Sequence, residues 1–532
     1  SFGSLAPIIP YRSCKHYLII IAKDTTKCKT RRALRGIIQK WLWMGAAGIC
    51  YTERKIKPTE KGWRAMAAKE RAIHLDYFDP AVGKVPNPGM GVQGYVYSDH
   101  MRFGYTWAEI QPSVPHEMTP LDRKSLERMA ASPHCDNLYY RCEWRDIQQE
   151  KGKLSLPKEF EWMLEACEKY NKTWSFRIMS SSVTSVYKDS VPEFIKDHVK
   201  MIPYWRTIGV QEWYPKYFPE YSSEFLQYWN ELNCLLGERF DKDPRLEFAD
   251  VSGYGFWGEA HHYSLQRPDQ KEEINWEPDN VEEVTEFLME SHLKAFPTTP
   301  ACMNLHYTEY GFADRVLEQN GVWLRRDSFQ AHMNTEEYRW IHRGAKKGAM
   351  IWEPIRAHIP RTAPLLFTSS QMVQHCLDYG ANYFGVAFTP WDFVMSTHNY
   401  QDLMDQMDAQ VGYRLRPAMA WRRENADRTQ DLVLQLLNDG CGAIPGALRL
   451  KAYFPDGSTA EKELPVGAPF KGDENLFALP IPERFWGASE REVIRVSASL
   501  KMRGKEKLVR WAVRQELENP FEIVLPLRAF VD

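Results

Sequence analysis

Two glutamates stand out by what surrounds them. Glu259 lies in Leu246 to His262, LEFADVSGYGFWGEAHH, where an apolar run and a Gly-rich turn deliver a carboxylate beside Trp257, His261 and His262. Glu353 lies in Gly348-Ala349-Met350-Ile351-Trp352-Glu353-Pro354, again an apolar run leading to a carboxylate beside Trp. Two carboxyls presented from two strand ends can share the breaking of a glycosidic bond. One protonates the leaving oxygen while the other attacks the anomeric carbon or activates water. Either Glu alone is as well explained by a structural ion pair. The repeat of the pattern favours catalysis.

The elements that would position them alternate between strand-like and helix-like from residue 86 to residue 426. Strands are expected at 94–98, 137–142, 173–179, 246–251, 301–306, 321–325, 349–352 and 382–388. Between them, Phe160, Met163, Leu164 and Cys167 fall on one helical face, and 224–240 is amphipathic. Alternation of this kind gives parallel strands with right-handed crossovers, and eight units predict a closed (β/α)8 TIM barrel in an α/β chain. An open doubly wound sheet would want a Gly-rich phosphate loop after its first strand, and none follows. The aromatic, Pro-punctuated insertion 181–221 is expected above the barrel mouth. Residues 427–532 carry short alternating runs separated by turns, which predicts a β-sandwich accessory domain supporting the barrel. Residues 1–85 mix two apolar patches with a basic run and read as a poorly defined leader or extension. The second patch has features of a secretory signal but starts far into the chain.

On this count Glu259 ends strand four and Glu353 ends strand seven. Arg141, Arg177 and His306 end strands two, three and five and would face the pocket, with Arg177 equally suited to an internal ion pair. Asp327, after strand six, would bind a sugar hydroxyl or orient Glu353. Trp391 follows strand eight, where it is either a sugar platform or a core aromatic. Trp144, Trp257 and His261 complete the candidate substrate contacts. Tyr97 and Asp99 end strand one and are as easily structural.

These stretches resemble clan A glycoside hydrolases, whose acid/base and nucleophile lie at the ends of strands four and seven. The resemblance covers residues 86–425 and is nearest to family 42 β-galactosidase-like barrels and to uncharacterised glycosidase families related to them. It rests on Asn87-Pro88-Gly89-Met90-Gly91, on the run from Arg141-Cys142-Glu143-Trp144 to Glu150-Lys151-Gly152, and on Tyr254-Gly255-Phe256-Trp257-Gly258-Glu259. It implies retaining double displacement on a β-linked glycan, with a β-galactoside as first choice. Glu353 would be the ionised nucleophile, its pKa held down by Arg141 and Arg356, and Glu259 the acid/base. Arg325, Arg326, Arg356, His358 and Arg361 near the mouth would also suit a sulfated or algal galactan. One departure is Gly258, where many clan members carry Asn before the acid/base. A polymeric glycan further implies a periplasmic or secreted location.

Composition narrows the alternatives. Lys+Arg is 68 and Asp+Glu is 70, a net charge of −2 that leaves no footprint for nucleic acid or an anionic membrane. Aromatics reach 13%, and aromatic faces pack both barrel cores and sugar rings. The 10 Cys form no C-x-x-C pair and no zinc-type spacing, so neither cofactor nor metal is expected. No segment reaches the ~20 apolar residues that span a bilayer. Two other readings remain open. One is a non-catalytic carbohydrate-binding barrel whose carboxyls stand too far apart to cooperate. The other is a metal-dependent barrel hydrolase using His261, His262, His306 and Asp327. Homo-oligomer formation is left open as well.

Overall fold

The structure is a computed structural model that describes residues 75–97, 123–183, 185, 187–208, 212–261, 278–329, 333–354, 370–386, 390–469, 475–487 and 491–527. All described residues belong to one compact unit, Arg71–Asp532.

Eight parallel strands close into a barrel in chain order: β1 Gly91–Tyr97, β2 Asn137–Glu143, β3 Thr173–Met179, β4 Leu246–Asp250, β5 Ala301–Asn304, β6 Trp323–Phe329, β7 Met350–Pro354 and β8 Tyr383–Val386. The last strand pairs with the first, Tyr383 beside Gly91. Side chains alternate across each strand. One set, including Val96, Tyr140, Phe176, Leu324, Trp352 and Phe384, packs outward against the helices. The other set, including Tyr95, Tyr139, Phe248, Trp323 and Ile351, fills the barrel. Burial on both faces gives most of these strands a largely apolar run, and all eight were legible, β6 by its first residues alone.

Strand ends differ from expectation in two places that matter. β4 stops at Asp250, so Glu259 reaches the mouth on the loop that follows and not from the strand end. β6 runs on to Phe329, so Asp327 lies within the strand. The polar run Arg325-Arg326-Asp327 looks like a loop, but Arg325 and Asp327 point inward onto ionic partners.

Helices cover the outside. Lys158–Lys169 buries Phe160, Met163, Ala166 and Cys167 against the barrel. Ser223–Phe240 starts at Ser222, whose hydroxyl accepts from the Phe225 amide at 3.3 Å. The insertion after β3 contains a hairpin, Met201–Ile208 with Glu212–Pro219. Its Tyr204 and Phe218 rings lie 5.1 and 6.4 Å from Phe256, on the loop that carries Glu259.

The C-terminal part forms two antiparallel sheets from β9 Leu415–Glu424, β10 Gln430–Asn438, β11 Ala447–Tyr453, β12 Thr459–Glu463, β13 Leu476–Ile481, β14 Val493–Met502, β15 Lys505–Val509 and β16 Glu522–Pro526. Leu434, Leu436 and Leu479 of one sheet share an apolar cluster with Leu448, Leu450, Val496 and Leu500 of the other. The first sheet begins before residue 427, because β9 pairs along β10. It also takes in Asp76 and Tyr77, opposite Ala420 and Met419, within the stretch 1–85 that was expected to be a leader or extension. Arg and Pro side chains in β9, and a bulge between Pro417 and Met419, broke the alternation that would have marked that strand.

Candidate active site

Inside the mouth, alternate strand positions carry charge in place of apolar bulk. Arg141 of β2 and Arg177 of β3 are register neighbours. Asp250 ends β4, Arg325 and Asp327 come from β6, and Glu353 comes from β7. Glu259 joins them from above. Its loop turns back on itself, with Glu259 N–H donating to Phe256 O at 3.0 Å and Ala260 N–H to Tyr254 O at 3.1 Å. Positive φ at Gly253, Gly255, Trp257, Gly258 and Ala260 makes the reversal.

These groups form one network. Arg177 Nε donates to Asp250 Oδ2 at 2.9 Å, and its Nη1 to Asp327 Oδ2 at 2.7 Å and Glu259 Oε1 at 3.0 Å. Arg325 pairs with Asp327 and, at 3.2 Å, with Glu353 Oε2. Tyr95 donates to the same Glu353 oxygen at 2.9 Å, and Tyr139 donates to Asp250. Arg141 spans the two glutamates, with Nη2 3.1 Å from Glu259 Oε1 and Nη1 3.5 Å from Glu353 Oε2. Exposure separates the layers. The Arg177, Asp250 and Arg325 side chains are at most 1% exposed, against 11% for Glu259 and 12% for Glu353. The two glutamates are the solvent-facing edge of a charge cluster whose base is sealed.

Charge balance explains which carboxyl is under pressure. Three guanidiniums (Arg141, Arg177, Arg325) face four carboxyls (Asp250, Asp327, Glu259, Glu353), so one negative charge is in excess. Asp327 is held well below the usual carboxylate range: burial pushes it up, but Arg177 and Arg325, a hydrogen bond with Glu259, and Arg141 outweigh that. Glu353 goes the other way. Burial, and then the charge of Asp327, push its pKa up to about 7 against Arg141 and Arg325, with Glu259 adding to the rise. The sequence expectation was an ionised Glu353 held down by Arg141 and Arg356. Arg141 is in place, Arg325 is the second cation, and Arg356 lies outside the described residues. Both cations together fall short of offsetting desolvation.

The remaining candidates separate cleanly. His261 Nε2 lies 3.2 Å from Glu259 Oε2, and His306 Nδ1 lies 2.9 Å from the Glu259 carbonyl. Trp257 is half-buried, its ring centred 5.9 Å from that of His261. Arg177, offered as a substrate contact or an internal ion pair, is the ion pair. Asp327 anchors Arg177 and Arg325 and is 5% exposed. Trp144 is not at the site. It is fully buried among Phe225 and Trp229, with its indole N–H on Gln148, because the residue after β2 turns outward into the helix layer. Trp391 lies in the helix Pro390–Asn399, and its side chain is outside the described residues, as are Asp99, His262, His358 and Arg361. Arg325 is sealed and Arg326 is paired with Glu337 at 2.7 Å, so neither presents a free cation to a sulfate. Tyr97 lies under Arg141, whose guanidinium carbon is 5.8 Å from the ring centre. Among the described residues no group of three or more His, Cys, Asp or Glu is placed to hold a metal.

Sequence reading missed Tyr95, Tyr139 and Asp250, and gave Arg325 to a sulfate and not to Glu353 and Asp327. For all but Asp250 the signal was there, since the other three share strand parity with a residue already singled out. Tyr139 precedes Arg141 by two, Arg325 precedes Asp327 by two, and Tyr95 precedes Tyr97 by two.

No family model and no curated protein matches the chain. Among solved structures it is similar to endo-glycoceramidase II from Rhodococcus sp., at 11% identity and a TM-score of 0.35, covering 76% of this chain and 100% of that one. It is similar to a GH5-4 broad specificity endoglucanase from an uncultured bacterium, at 12% identity and a TM-score of 0.36, covering 60% and 93%. It is also similar to the catalytic domain of β-amylase from Paenibacillus polymyxa, at 9% identity and a TM-score of 0.34, covering 56% and 92%. Likenesses at these scores do not bear on what the chain does, and the barrel stands on the chain's own strand pairing.

Proposed function

We propose that this chain is a retaining glycoside hydrolase of β-linked oligo- or polysaccharides, with Glu353 as nucleophile and Glu259 as acid/base. The observation that carries the reading is the pair itself. Two carboxyls from different barrel segments are spanned by one guanidinium, and they are the accessible members of an otherwise sealed network. In the first step Glu353 attacks the anomeric carbon as Glu259 gives its proton to the leaving oxygen. In the second, water attacks that carbon, Glu259 takes the water proton, and the Glu353 ester bond breaks. Tyr95 and Arg325 would hold Glu353 on its line of attack. Its raised pKa favours one rival within the same pair, in which Glu353 is the acid and Glu259 attacks. β-Galactosides are the first substrates to try, on the resemblance of the Asn87, Arg141 and Tyr254 stretches to family 42. The two C-terminal sheets are read as a sandwich that supports the barrel floor.

Purified parent, Glu259→Gln and Glu353→Gln proteins should be run against a panel of aryl β-glycosides and plant and algal galactans. Each substitution is expected to cut turnover on the order of 10³-fold or more with the far-UV circular dichroism unchanged. Near-parental activity in both variants on every glycan cleaved would end the proposal.

A further inference from the structure

The Glu259 carboxylate is held differently at its two oxygens. Oε1 accepts from Arg141 and Arg177, at 3.1 and 3.0 Å. Guanidinium groups only donate, so Oε1 accepts from two N–H groups on the side that it shares with Asp327. Oε2 faces an imidazole, His261 Nε2 at 3.2 Å, which can donate to a carboxylate or accept from a carboxylic acid according to its tautomer. Two guanidinium donors thus crowd Oε1, which also adjoins Asp327, and leave Oε2 as the oxygen that His261 meets.

His306 fixes the arrangement from behind. Its ring meets the His261 ring edge-on, with centroids 4.8 Å apart and planes at 81°. Its Nδ1 is 2.9 Å from the Glu259 carbonyl, and a carbonyl only accepts, so the proton of His306 is on Nδ1. Burial, together with His261 and Arg326, pushes the His306 pKa down to about 3, so the ring stays neutral. A neutral ring of fixed tautomer is a stable wall for His261.

We propose that His261, braced by His306, is a positioning residue that holds Glu259 Oε2 toward the leaving-group oxygen and keeps the acid/base ready for proton transfer. This rests on the reading of Glu259 as acid/base, and it gives His261 a role other than the substrate contact first expected of it. No atom of His261 bonds to the substrate. When Glu259 donates its proton, an Nε2–H on His261 stabilises the carboxylate left behind. When Glu259 recovers a proton from water, that proton takes the other side of Oε2, and the Nε2–H keeps its hydrogen bond to the same oxygen.

The test uses His261→Phe, which keeps ring shape but has no polar atom, and His261→Asn, which restores an amide donor and acceptor. The readout is the dependence of the first chemical step on the leaving group, in a series of aryl glycosides from dinitrophenyl to unsubstituted phenyl. A dinitrophenolate leaves without protonation, whereas a phenolate needs the acid. His261→Phe is expected to lose on the order of 100-fold in kcat on phenyl glycosides and under about 5-fold on dinitrophenyl glycosides, with His261→Asn recovering part of the loss. An equal loss across the series, or none on the phenyl substrate, would overturn the proposal. Should His261→Phe not fold, the same comparison in His261→Asn against the parent decides. Failure of the parent reading is separable, because it would show as full activity in Glu259→Gln, whatever His261 does.

Discussion

As the proposed nucleophile, Glu353 would act as an anion in a place that favours the neutral acid. If it is the nucleophile, the free protein works only once Glu353 has lost its proton. kcat/KM should therefore fall as pH drops below about 7, the value to which burial and Asp327 raise the group. Were Glu353 the acid, kcat/KM would fall as pH rises above about 7. The same shift has a stability consequence of opposite appearance. A carboxyl with a raised folded-state pKa binds its proton more tightly when folded, so it favours folding at low pH. That contribution is lost as pH rises from the ordinary carboxyl value to about 7. Glu353→Gln should remove this slope from a plot of Tm against pH, and an unchanged slope would show that another group is responsible. The residue types of this site were legible in the sequence. Their proton balance was not, because it depends on how three buried arginines divide among four carboxyls.

At the scale of elements, the barrel strands and the loop after β4 behave differently. Most strands were readable because both faces are buried and the apolar runs are long. The loop has no period. Its course is set by left-handed backbone at five positions, two of them the non-glycines Trp257 and Ala260, which each cost roughly 1–2 kcal/mol. That strain is offset by ties to the insertion, where Gly255 N–H donates to the Tyr221 hydroxyl at 2.9 Å and Trp257 N–H to Ser181 O at 2.8 Å. The departure at Gly258 now has a cause. Its φ is +72°, and a Cβ there would stand 2.7 Å from Ser252 Cβ, so the Asn of many clan members could not be seated without moving β4's exit. Gly258→Ala should lower kcat about 10-fold or more by displacing Glu259, and lower Tm as well, since a left-handed non-glycine costs roughly 1–2 kcal/mol. Parental kcat in that variant would mean that the loop's path does not set the acid/base.

Across the whole described molecule, the barrel and the C-terminal sheets share one interior. Phe248, Trp323 and Tyr383 from inside the barrel belong to the same apolar cluster as Leu434, Leu450 and Leu500. A buried polar joint ties them: Glu247 of β4 accepts from Lys507 of β15 at 2.5 Å, from Gly89 N–H at 3.0 Å and from Tyr383 at 3.2 Å. Lys507→Met would leave Glu247 short of its cation. Because Lys507 is partly exposed, the expected loss is about 2 kcal/mol, below the ~3–5 of a fully buried pair. Calorimetry should show one transition moved down as a unit, and two transitions with only one displaced would contradict a shared core. The chain's texture marked a β-rich C-terminal part, but not its joint with the barrel. Glu247 reads as one more surface charge until β15 is folded beneath it.

The most direct test of the catalytic pair is to trap the covalent intermediate. 2-Deoxy-2-fluoro β-glycosides with a dinitrophenyl leaving group, the galactoside first, should inactivate the protein with time and add one glycosyl mass. Peptide mapping should then find the sugar on Glu353, and Glu353→Gln should resist labelling. A sugar on any other residue, or turnover with inversion at the anomeric carbon and no trapped species, would contradict Glu353 as the nucleophile.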